Sequence, residues 1–169
     1  MKLEYLLEDK SIKAKTKVAQ MGEWLLKKQL STENWLAFAS VQNATNKATC
    51  IEAMEYATKM DAGIADKAIF QFVINALQDE APRIKWESAK VIGHIAPLFP
   101  QYAQAAINHL LANVHHPGNV VRWATAGALY KIIFCNSKLQ LQLHPIIEKL
   151  VEDEKDNAVK KIYLSALKK

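Results

Sequence analysis

Apolar residues recur along this chain at spacings of three and four, with polar residues between them. That is the period of a helix with one buried face. No segment alternates apolar and polar positions over more than a few residues, so no strand is expected. The pattern breaks at Asp61-Ala62-Gly63, at Pro97-Leu98-Phe99-Pro100 and at Asn136-Ser137. Proline and glycine at such points cannot continue a helix without cost. One stretch occurs twice: residues 77–96 read LQDEAPRIKWESAKVIGHIA and residues 114–133 read VHHPGNVVRWATAGALYKII. Superposed, they match Leu77 with Val114, Ile84 with Val121, Lys85 with Arg122, Trp86 with Trp123 and Ala89 with Ala126. The offset of about 37 residues is the length of a helix–turn–helix repeat.

The spacing predicts an all-α chain of ten helices in five antiparallel pairs, forming one domain over residues 1–169. The units run over about 2–30, 33–60, 65–96, 101–135 and 138–168. In the first, LLEDKSIKAKTKVA aligns with ALQDEAPRIKWESA, pairing Asp9 with Asp79 and Lys15 with Lys85. Its short first helix and its lysines between residues 2 and 17 suit a terminal cap whose outer face meets water. Asn46, Pro82, Asn119 and Asn157 fall in one slot before each second helix, where asparagine caps a helix and proline starts one.

A polar pair also recurs six residues apart: Asp9 and Lys15, Asp79 and Lys85, His116 and Arg122, Glu154 and Lys160. Asn43 and Thr49 hold those slots in the second unit. On a wheel of 100° per residue Lys85 falls inside the apolar arc of Ile84, Ala89, Val91, Ile92 and Ile95. A cation there needs a partner, and the acid in the preceding turn is expected to supply it. The combination of Asp79, Pro82, Ile84-Lys85 and Ala89, repeated at Pro117, Val121-Arg122 and Ala126, resembles the HEAT-repeat, armadillo-type α-solenoid family. The resemblance implies a superhelix of about five repeats whose acid–base pairs stack as a ladder. It gives Asp79, Lys85, His116, Arg122, Glu154 and Lys160 a structural role.

Half of the residues are hydrophobic, which excludes disorder. No apolar run approaches the roughly 18 residues of a membrane span. The opening MKLEYLLEDKSIKAK has acids where a signal peptide needs an apolar core, so a cytoplasmic location is expected. Net charge is +5, which permits an anionic partner or nucleic acid. Cys50 and Cys135 lack metal-ligand spacing. The five histidines fall between residues 88 and 147, but only His115 and His116 are close in sequence, and adjacent residues point apart. No serine or cysteine sits in a nucleophile motif. No catalytic residue, metal or cofactor is therefore expected.

Residues 88–147 contain no Asp or Glu, where average usage puts roughly seven. Within them the wheel sector that reads Arg83, Glu87, Lys90 and His94 in the third unit becomes Val120, Ala124, Gly127 and Lys131 in the fourth. Small residues at that spacing admit close approach by an adjacent helix of the fold or by a partner. Trp86 and Trp123 at the edge of the arc suit either packing against the next repeat or an exposed pair. The leading expectation is a non-enzymatic scaffold that binds an anionic protein partner at Lys90, Arg122, Trp123, Ala124, Gly127 and Lys131. The alternative is a nucleic-acid-binding HEAT-like protein similar to alkylpurine DNA glycosylases, suggested by Arg122-Trp123. HEAT-like phycobilin lyases share the repeat and nothing further that these residues support.

Overall fold

The computed structural model describes residues 2–168, the side chain of Lys2 excepted. The ends of the expected 1–169 domain, Met1 and Lys169, lie outside the described residues. Among the described residues ten α-helices follow one another: α1 (Lys2–Glu8), α2 (Ala14–Leu26), α3 (Thr32–Ser40), α4 (Ala44–Met60), α5 (Lys67–Ala76), α6 (Pro82–Ile95), α7 (Ala103–Leu111), α8 (Asn119–Ile132), α9 (Ser137–Asp153) and α10 (Asn157–Leu167). No strand occurs among the described residues. Consecutive helices pair, and the pairs stack: α2, α4, α6, α8 and α10 form one continuous row in which each packs along the next. The first helices meet their neighbours more sparsely. The row of second helices is the more densely packed side of the stack and is called its inner face below.

Local chemistry sets the starts. Ser31 accepts from the Asn34 N–H at 3.2 Å, Asp66 from Ile69 at 2.9 Å and Asn136 from Leu139 at 2.9 Å, each satisfying a donor that the first turn leaves unpaired. Before the second helices the cap is not where the recurring Asn/Pro slot places it. Pro82, Asn119 and Asn157 are the first helical residues, whereas Asn46 is the third, receiving the cap of Asn43 at 3.0 Å. Asp156 caps α10.

A continuous apolar core runs between the two rows, anchored by Leu3, Met21, Trp35, Ile51, Met54, Phe70, Ile84, Ile92 and Tyr163, all fully buried. The proline-bounded link from α6 to α7 is held down by Phe99 and Tyr102, whose rings lie 5.6 and 5.7 Å from Phe70 on α5.

Candidate functional site

The polar ladder is present, but its register differs from the six-residue spacing. The fourth residue of every second helix is a cation: Lys17, Lys47, Lys85, Arg122 and Lys160. Helical side chains lean toward their own N-terminus, so each reaches over its own turn and toward the turn of a neighbouring unit. Where the next turn offers an acid, the cation takes it. Lys47 Nζ lies 2.9 Å from Asp79, and Arg122 engages both carboxylate oxygens of Glu154 at 2.9 and 3.2 Å. Where the next turn offers Asn43 or His116, the cation donates to a carbonyl of its own turn: Lys17 to Leu7 at 2.6 Å, Lys85 to Leu77 at 2.9 Å.

The pairings Asp79–Lys85, His116–Arg122 and Glu154–Lys160 are therefore not ion pairs. Acid and cation belong to successive units, and the rungs tie one repeat to the next. Lys17 replaces Lys15, and Lys47 replaces Thr49, so the second unit is not without charge. The acid slot has a second task, because its side chain also accepts from the N–H two residues on. Asp9 binds Ser11, Asp79 binds Ala81, His116 binds Gly118 and Glu154 binds Asp156, at 2.8 to 3.0 Å. Burial pulls the Asp79 and Glu154 carboxyls up, but their bonds to Lys47 and Arg122 outweigh it and hold both below the usual range. Lys160 makes no ion pair among the described residues.

On the inner face, Lys90, Trp123, Ala124, Gly127 and Lys131 line one open hollow of about 240 Å³, with Glu55, Lys59, Gly93, His94 and Ala128. Five of the six residues proposed from sequence thus come together. Arg122 does not join them. It faces the turn edge, where it lines a separate hollow with His115, His116 and Glu154, so the adjacent Arg122 and Trp123 serve different surfaces.

The field of the hollow also differs from that of the acid-free window. Lys90 lies 2.8 Å from Glu87 and 3.7 Å from Glu55, and His94 Nε2 lies 3.9 Å from Glu55. Glu55 comes from α4, outside the window, because stacking places that helix beside α6. Lys59 and Lys131 are exposed and have no carboxylate partner among the described residues. Burial lowers the His94 imidazolium's hold on its proton, and Lys131, Lys59 and Lys90 add to this against Glu55.

The two tryptophans part ways. Trp86 is half-buried and donates to Glu87 at 2.7 Å, while Trp123 is 47% exposed. Trp123 also borders a second hollow with Val120, Ala158 and Val159. Gly127 has nothing within 4 Å of where a Cβ would stand. Sequence reasoning missed Glu55 and Lys59, which neither the window nor the wheel of one helix contains.

Cys50 is buried, and burial pushes its thiol up to about 12. Among the described residues no three His, Cys, Asp or Glu side chains converge to hold a metal. Among the described residues no helix is long and apolar enough to cross a membrane.

Ten helices stacked as repeats define a HEAT/armadillo-type α-solenoid. Solved structures agree over nearly the whole chain. One, the complex of CpcE and CpcF of phycocyanin lyase from Nostoc sp. PCC7120, matches at a TM-score of 0.75 and 20% identity, covering 97% of this chain and 96% of that one. A designed armadillo repeat protein matches at 0.69 and 15% identity, covering 98% and 79%. At these identities the likeness is one of fold. The sequence matches no protein-family model and no curated protein.

Proposed function

We propose that the chain is a non-enzymatic interaction module that receives an anionic protein partner on its inner face, at the hollow around Lys90, Trp123, Ala124, Gly127 and Lys131. The observation that carries the reading is Trp123. Tryptophan is enriched among the residues that carry binding energy at interfaces; this one is left half exposed beside an uncovered glycine, and the free ammonium groups of Lys59 and Lys131 line the same hollow. A match to a component of a two-chain complex favours a protein as the partner. The nucleic-acid reading loses its main motive, because Arg122 is engaged by Glu154 and lies off the surface that bears Trp123.

The test places a photo-crosslinking amino acid at position 94, in the lining of the hollow, and, as a control, at position 13 in the terminal unit. Irradiation in native lysate is expected to give a defined protein adduct at 94 that survives nuclease and is lost on Gly127→Leu. Adducts at 13 alone would move the site to the first unit. Adducts that vanish with nuclease would favour nucleic acid.

A further inference from the structure

Resting on that docking surface, we infer that its occupant is a three-turn amphipathic helix of the partner, with carboxylates beyond one end of its apolar stripe. The shape of the surface and the prior engagement of the polar groups along its apolar part carry this together. Along α8 Val120 is followed three and four residues on by Trp123 and Ala124, these by Gly127, and Gly127 four residues on by Lys131. At 1.5 Å per residue they extend for about 16 Å, the length of three helical turns.

Along the apolar part α8 presents the indole nitrogen of Trp123, and the polar side chains across the hollow, Glu55, Lys90 and His94, already engage one another, Glu87 or Thr58. At the Val120 end, Asp156 already accepts from the Ala158 and Val159 N–H groups. An extended peptide laid here would bury backbone N–H and C=O groups without partners, at a cost of about 1–3 kcal/mol for each one. A helix satisfies its backbone internally and offers only side chains, which is what an apolar groove accepts. The missing side chain at Gly127 deepens the groove at its centre, where a helix makes its closest approach.

Charge then fixes the register. Lys131 and Lys59 stand together at the far end of the row, unpaired by carboxylates, while Lys90 is already held by Glu87 and Glu55. The occupant's carboxylates therefore belong one turn beyond its apolar stripe, opposite Lys131 and Lys59, and not along its length.

Selection of a displayed library of 16-residue peptides, randomised throughout, against the intact chain tests this. Enriched peptides are expected to carry apolar residues at i, i+3 or i+4, and i+7, followed within one turn by Asp or Glu. Their circular dichroism should become helical on binding, and their affinity should fall at least tenfold on Gly127→Leu and on Lys131→Glu. Sensitivity to both substitutions without helix formation, or without acids in the enriched set, overturns the helix and leaves the docking reading standing. No enrichment, or binding indifferent to both substitutions, overturns both. Self-association that Gly127→Leu abolishes would make a second copy of the chain the occupant and sink the inference of a partner helix.

Discussion

The seams on either side of α6 are built from different materials. Among the described residues α4 is joined to α6 by Arg83–Glu52 and Lys90–Glu55, by His94–Glu55 when that histidine is protonated, and to the turn leading into α6 by Lys47–Asp79. Between α6 and α8 none crosses among the described residues, and the helices instead come close at Gly93, where an added Cβ would stand 3.4 Å from the Ala128 Cα. One helix thus has a charged flank that is already neutralised and an apolar flank that is tightly packed. The difference bears on function. A seam whose charges satisfy one another has little left for a partner, whereas the apolar flank continues outward onto the exposed surface of Trp123 and Gly127. A repeat fold can vary one seam without disturbing the next, because each unit touches only its neighbours.

The sharpest way to break the comparison is steric. Gly93→Leu drives a side chain into the α6–α8 seam and is expected to destabilise by about 2 kcal/mol, as overpacking of a close contact does. Because no charge is involved, the loss should be the same in 50 mM and 1 M NaCl by urea denaturation. A salt-dependent loss would show that electrostatics hold this seam too.

A smaller effect is expected at the charged seam. Arg83 and Glu52 are each about one-third exposed, so solvent screens them. A double-mutant cycle with alanine should give a coupling of about 0.5 kcal/mol that disappears in 1 M NaCl. Coupling that persists at high salt would mean that packing of the side-chain stems, and not charge, joins these helices.

The sequence made the repeat visible because packing repeats: Trp86 and Trp123, Ile84 and Val121, Ala89 and Ala126 occupy equivalent places in the stack. It did not make the ladder's register visible. Counting from the acid in the turn selects Lys15 and Thr49, while counting from the helix start selects Lys17 and Lys47. Only the second frame matters physically, because the helix start fixes where a side chain points. The acid-free window misled for a related reason. Charge along a chain is a one-dimensional property, and Glu55 enters the hollow from a helix 35 residues earlier, stacked beside α6. Trp86 and Trp123 hold the same slot and still differ in exposure. Trp86 has an acceptor next to it in Glu87, where Trp123 has Ala124.

Acid titration separates the carboxylates of the charged seam by sign. Asp79 holds its proton more weakly folded than unfolded. Its stabilisation is present at neutral pH and is lost as pH falls through the carboxylate range. Lys47 keeps its partner only above that window, so Asp79→Asn should flatten the acid limb of a stability–pH curve. An acid limb unchanged by Asp79→Asn would show that the rung contributes no pH-linked stability.

Glu87 runs the other way and gives the smallest expected change. Only 4% of its surface is exposed, and burial raises its pKa despite the Lys90 ammonium and the Trp86 indole. Its linked contribution is therefore complete below the usual carboxylate value and is lost as pH rises through the raised one. At neutral pH the desolvation cost of the charge and the attraction of Lys90 oppose each other. Glutamine keeps an acceptor for the Trp86 N–H and removes the buried charge, while Lys90 retains Glu55. Glu87→Gln is therefore expected to change stability at pH 7 by less than about 1 kcal/mol, and to steepen the fall in stability on acidification, since the group that gains from protonation is gone. A large loss at pH 7 would show that the Glu87–Lys90 pair, and not the burial of Glu87, dominates this position.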